Sequence, residues 1–262
     1  MRIVLGAILT LILAGCVTTN ETVFTNKEVP DVALKRRVEL ARAYIGQGNW
    51  ENAKRNLKLA ADIDPNNAEV YEAFALVYQS TGEFEAAESN FRKALVLDKS
   101  LSRARNNFAA FLFGQQRFAE AEVELELVVR DTLYSGRPQA FTNLGLCRAR
   151  LGKIEPAIEA LERALTMELR NPLALLTLAQ LYLEQRDYLN GQSYYSSYRK
   201  LVRTQPAAGL WTGIRLAKAL QLQDEQASLE LALQNLYPDS PEAKAMREQR
   251  TVQRPNGVGS SN

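Results

Sequence analysis

Histidine is absent from this 262-residue chain, and with it the commonest general base, metal ligand and near-neutral proton switch. Cysteine occurs twice, as Cys16 and Cys147, which is too few for a zinc-ligand spacing or a disulfide framework. Neither sign of charge dominates. Lysine and arginine number 32 against 30 aspartate and glutamate, a formal net charge of +2, and removing residues 1–15, which hold one arginine, would leave +1. The basic residues are scattered along the chain, so the sequence makes no electrostatic case for nucleic acid. Alternating runs of β-branched residues are missing too, which argues against a sheet. These absences leave no catalytic constellation, no metal site and no cofactor motif, and no small-molecule substrate is expected.

What is present is a soluble composition, 46% apolar and 24% charged, behind a distinctive start. Arg2 supplies a short positive region, Ile3 to Leu13 an apolar run interrupted by Gly6 and Thr10, and Leu13, Ala14, Gly15 and Cys16 close the segment. The run is too short for a comfortable transmembrane helix. Its last four residues resemble a bacterial lipobox, in which small residues before the cysteine admit the signal peptidase and the cysteine sulfur accepts a diacylglycerol. The resemblance implies residues 1–15 as a lipoprotein signal peptide and Cys16 as the lipidated mature N-terminus. Val17 in place of aspartate implies sorting to the outer membrane. Residues 17 to about 30 are polar, lack apolar periodicity and end in Pro30, with a flexible reach of roughly 20 Å, and residues 16–33 are expected to be a lipidated tether.

From residue 34 the pattern is helical and repeats every thirty-four residues. "QGNWENA" sets Gly48, Trp50 and Ala53, "TGEFEAA" returns them as Gly82, Phe84 and Ala87, and "QQRFAEA" keeps Phe118 and Ala121. Registers fall at 34–67, 68–101 and 102–135, then, after inserted Gly136 and Arg137, at 138–171, 172–205 and a degenerate 208–241. These look like tetratricopeptide (TPR) repeats. The expected fold is all-α, a right-handed superhelical solenoid of about six TPR helix-turn-helix units. Small residues would meet where the helices of a pair cross, Ala41 against Ala53, Ala75 against Ala87 and Gly145 against Ala157. Gly48, Gly82 and Gly152 would end first helices at positive φ. Gln116 and Arg186 stand where that glycine belongs and depart from the repeat pattern. Ser240, Pro241 and Glu242 read as a helix start, so residues 242–262 are expected to be a capping helix to about Arg250 and a disordered tail.

Three clusters invite chemistry and receive structural readings. Tyr194, Tyr195 and Tyr198 suggest a stacking platform, yet they lie on a second helix, where large side chains fill the core. Glu120, Glu122, Glu124 and Glu126 alternate with apolar residues on a helix and scatter around it as a solvated face. Cys147 lies near the small-residue crossing of its helix pair, without a network of basic neighbours or a histidine, and reads as a buried apolar thiol.

Residues 171–243, above all "LWTGIRLAKAL" and "LYPDSPEA", resemble the C-terminal part of the type IV pilus biogenesis lipoproteins of the PilF/PilW family. With the lipobox and the repeats, the similarity covers essentially the whole mature chain. It implies an outer-membrane lipoprotein, a pilotin, that binds the pilus secretin PilQ and is needed for it to reach the outer membrane and multimerise. Other pilus assembly proteins are further implied partners. The implied location is the outer membrane, lipid-anchored, with the repeats facing the periplasm. A monomer is expected. The competing reading is a TPR lipoprotein adaptor for cell-wall hydrolases or for outer-membrane protein assembly, against which "LWTGIR" argues. Val38, Arg42, Ala73, Arg103 and Asn107 do not make a carboxylate clamp. The repeat register instead nominates a first-helix row unused by the core as the partner groove: Val38, Arg42, Ile45, Leu76, Gln79, Asn106, Phe113 and Leu146. It is expected to be an apolar stripe.

Overall fold

The structure is a computed structural model and describes residues 30–253. The signal peptide, Cys16, most of the tether and the end of the tail lie outside the described residues. Among the described residues every regular element is an α-helix: α1 (Pro30–Gly46), α2 (Trp50–Ile63), α3 (Ala68–Thr81), α4 (Phe84–Leu97), α5 (Ser102–Gly114), α6 (Phe118–Val128), α7 (Arg137–Arg150), α8 (Ile154–Met167), α9 (Pro172–Glu184), α10 (Tyr188–Leu201), α11 (Ala207–Ala219), α12 (Gln223–Leu236) and α13 (Pro241–Gln253). The expected tether ends sooner than residue 33. Pro30 opens α1 with Asp31 in its first turn, a proline suited to a helix start and a carboxylate suited to its positive end.

Consecutive helices pair as the repeat predicts, and the chain divides into two compact units, one ending at Pro65 and one beginning at Asn66. In the first unit α1 and α2 enclose Ala41, Ala53, Leu57 and Ala60, all fully buried. Asn56 is buried with them; its amide donates to the Asn52 carbonyl at 2.8 Å and its oxygen accepts from Arg37 at 3.1 Å. In the second unit α3 to α12 form five pairs, and α13 lies against α11 and α12, burying Ala243 and Met246. Ser240 caps α13, its hydroxyl accepting from the Ala243 amide at 3.1 Å.

The close crossings fall where expected. Ala75, Ala87 and Ala157 are fully buried, and a Cβ on Gly145 would stand 3.1 Å from the Ala157 carbonyl oxygen and closer still to Leu161. The buried side chains of the second unit gather into two clusters. One spans α3 to α8 around Phe91, Phe108 and Phe111, whose rings lie 5.5 to 6.2 Å apart. The other spans α8 to α13 around Leu161, Leu178, Tyr195 and Leu216. Each fully buried leucine or phenylalanine contributes roughly 1.5–3 kcal/mol, and each aromatic pair about 0.5–1.5 more.

The turns inside the pairs share one hydrogen bond. The amides of Asn49, Glu83, Arg117, Lys153, Asp187 and Leu222 donate to the carbonyls of Tyr44, Tyr78, Leu112, Arg148, Tyr182 and Ala217 at 2.8 to 2.9 Å. This six-to-one closure needs a left-handed residue just before the donor. Gly48, Gly82 and Gly152 supply it at φ 69°, 81° and 72°. In the other three turns Gln116, Arg186 and Gln221 hold φ of 61°, 63° and 60°. The missing glycines therefore leave the turn intact.

Candidate partner-binding surface

The nominated row is dispersed in its environment. In the first unit Val38 is 5% exposed, so it belongs to the α1–α2 core and is no part of an open stripe; Arg42 and Ile45 are half-buried. In the second unit Leu76 and Phe113 are half-buried but pack against the α3–α8 core, with Phe113 edge-on to Phe118 at 5.0 Å. Asn106 is buried and its side-chain oxygen accepts from Asn143 at 3.2 Å. Gln79 and Leu146 stay half-buried. The stripe is thus less apolar and more covered than its sequence suggests, because neighbouring first helices α3, α5, α7, α9 and α11 touch one another.

Polar contacts also join these first helices. The Asn107 amide donates to the fully buried Glu72 carboxylate at 2.6 Å, and Arg103 meets Glu69 at 2.8 Å and Glu72 at 3.6 Å. This explains why Arg103 and Asn107 form no carboxylate clamp: an internal carboxylate already holds them. Further along, Asn171 donates to the Thr142 hydroxyl at 3.0 Å and Gln180 to the Thr212 hydroxyl at 3.2 Å. Glu72, Asn107, Thr142, Thr177 and Thr212 recur every 35 residues, a polar periodicity that sequence reading missed beside the louder apolar one. The three threonines also donate to the carbonyl four residues back, at 2.8 to 3.1 Å.

The glutamate series needs correction. Glu124 pairs with Arg105 and Glu120 with Arg117 at 2.7 Å, as a solvated face allows. Glu122, however, is buried between Arg148 at 3.2 Å and Lys153 at 2.6 Å, and locks α6 to the α7–α8 turn. A buried carboxylate persists only when paired in this way.

The tyrosine cluster divides. Tyr195 and Tyr198 are core residues, seated against α11 where Gly213 and Gly209 leave room; a Cβ on Gly213 would be driven into the Tyr195 ring. That interlock accounts for the small residues of "LWTGIR". The Tyr195 hydroxyl donates to the Gln205 side chain at 2.7 Å, and Tyr237 donates to the Gln205 carbonyl at 2.9 Å. Tyr194 lies half-buried, stacked on Tyr182 at 5.5 Å, and both hydroxyls donate to Glu162, at 2.8 and 3.0 Å. Cys147 is buried, and burial pushes its thiol up to about 12, which favours the protonated, unreactive form at neutral pH. The arrangement offers surfaces and hydrogen-bonding groups, suited to holding another protein.

Repeated pairs closed by one turn motif define a tetratricopeptide-repeat protein. The tetratricopeptide repeat family model matches residues 35–67, 68–100 and 138–171, the three repeats whose turn residue is glycine. The type IV pilus assembly protein PilF of Pseudomonas aeruginosa is 34% identical over 95% of this chain and 99% of its own length. The solved structure of P. aeruginosa PilF covers 84% of this chain and 99% of its own, with a TM-score of 0.80 and 35% identity. That of PilW, described as a widely conserved type IV pilus biogenesis factor, covers 81% and 97%, with a TM-score of 0.72 and 26% identity. The chain belongs to the PilF family of type IV pilus biogenesis proteins, a family of repeat scaffolds.

Proposed function

We propose that this chain is an outer-membrane lipoprotein that binds the type IV pilus secretin and promotes its localisation and multimerisation, with the repeats facing the periplasm. The observation that carries the reading is full-length similarity to PilF, over 95% of this chain. Residues 13–16 supply the lipobox that an anchor requires, and the stacked first helices supply the surface for a protein ligand. Two acyl chains on a diacylglycerol and one on the amine, at roughly 0.8 kcal/mol per buried methylene, exceed the two anchoring signals that stable attachment takes. Replacing Cys16 by serine removes the acyl acceptor. In cells carrying Cys16→Ser, the protein is expected to leave the outer-membrane fraction and the heat-stable secretin multimer to fall. Continued sedimentation of the variant with outer membrane would count against the anchor, and an unchanged multimer against the role.

A further inference from the structure

The second unit carries a basic recess that none of the preceding interactions uses. It lies where the C-terminal ends of α9 and α11 approach α13, has a volume of about 610 Å³, and is lined by Leu183, Glu184, Arg186, Tyr188, Arg215 and Lys218, with Gln249 of α13 at its edge. Volumes of this order are typical of sites that seat a ligand, about 300–1,000 Å³. Three cations face it against one carboxylate.

Several arginines elsewhere in this unit meet acids. Arg117 pairs with Glu88 and Glu120, Arg148 with Glu122 and Glu126, and Arg199 with Glu225. Among the described residues no ion pair engages Arg186, Arg215 or Lys218, and Glu184 in the same recess is within ion-pair distance of none of them. Arg186, Arg215 and Lys218 are exposed, and three like charges around one concavity give it a positive potential that favours an anion. The ends of α9 and α11 favour a cation in the last turn, which accounts for Lys218 but not for Arg186, which follows the helix in the left-handed turn position at φ 63°.

We propose that this recess docks an acidic, extended segment of a partner protein. The guanidinium forks of Arg186 and Arg215 suit carboxylates, Lys218 adds a third positive contact, and Tyr188 with buried Leu183 forms the wall for an apolar side chain between two acids. A concavity walled by residues of four helices, α9, α10, α11 and α13, fits a chain inserted into it better than a planar headgroup layer. The site is distinct from the first-helix row and stands or falls independently of the secretin reading.

The test uses the full chain extracted in neutral detergent and a fluorescein-labelled hexapeptide alternating glutamate and leucine, followed by anisotropy at low and physiological salt. The recess variant is Arg186→Gln, Arg215→Gln and Lys218→Gln together; glutamine already occupies the Arg186-type φ at Gln116 and Gln221, so the turn should survive. A charge-matched control carries Lys58→Gln, Lys99→Gln and Arg130→Gln, all at exposed positions. The expected result is saturable binding by the parent chain, none of the peptide with glutamine for glutamate, an about tenfold or greater loss in the recess variant, and no loss in the control, with melting temperatures unchanged. Equal losses in both variants would reduce the effect to net charge and overturn the proposal. So would absence of peptide binding, or the finding that soluble short-chain phosphatidylglycerol binds through the same three residues while the peptide does not.

Discussion

At the scale of single residues, burial of titratable groups in the second unit should make its stability fall in alkali. Burial pushes Tyr195 up to about 12 from an ordinary 10.0, and Cys147 up to about 12 from 9.0. For Tyr182 burial, joined by its hydrogen bond to Glu162, does the same, to about 12. A raised folded value means that the native state keeps a proton the unfolded chain releases. Stability is therefore fully present below about pH 9 and declines as pH rises through 9 to 12. Urea midpoints measured across that range should fall progressively. Tyr195→Phe should lower the midpoint at neutral pH by the loss of its bond to Gln205, about 0.5–1.5 kcal/mol, and should flatten the decline above pH 10. A decline of the same steepness in parent and variant would mean that Tyr195 does not contribute to it.

At the scale of helices and turns, the repeat rests on small side chains at the crossings. Ala87 is fully buried against α3, while Glu85, two residues earlier on α4, is exposed. Ala87→Leu should cost about 1–3 kcal/mol as overpacking, and Glu85→Ala no more than roughly 0.5; equal thermal shifts would contradict the pairing register. This much was legible beforehand, because apolar spacing and glycine punctuation are local signals. The turns at Gln116, Arg186 and Gln221 were not legible from composition, since a left-handed conformation at a non-glycine residue is imposed by the closing hydrogen bond and the packed pair around it. Glu122 was misread for a related reason. Its partners Arg148 and Lys153 lie 26 and 31 residues away, and only the folded pair of pairs reveals that the acid is enclosed. The candidate groove suffered most, because the register tells which residues leave their own helix pair but not which are then covered by the next one, as Asn106 is by Asn143.

At the scale of the whole molecule, the proposed role in secretin assembly requires groups that can be lost without unfolding either compact unit, and the row can now be divided by that criterion. Val38 fails it: Val38→Glu would bury a charge in the α1–α2 core and is expected to lower the melting temperature, whatever it does to binding. Ile45 on α1 and Leu146 on α7 meet it, being half-buried apolar side chains outside the two principal clusters. Ile45→Glu and Leu146→Glu, made singly, are therefore expected to retain helical circular dichroism and melting temperature while reducing co-purification with the secretin and the fraction of heat-stable multimer. Leu76→Glu makes an intermediate control, since Leu76 leans on the α3–α8 core and should show part of each effect. If Ile45→Glu and Leu146→Glu both fold normally and leave the multimer unchanged, secretin recognition does not use the first-helix row, and the basic recess formed by α9, α10, α11 and α13 becomes the surface to mutate next.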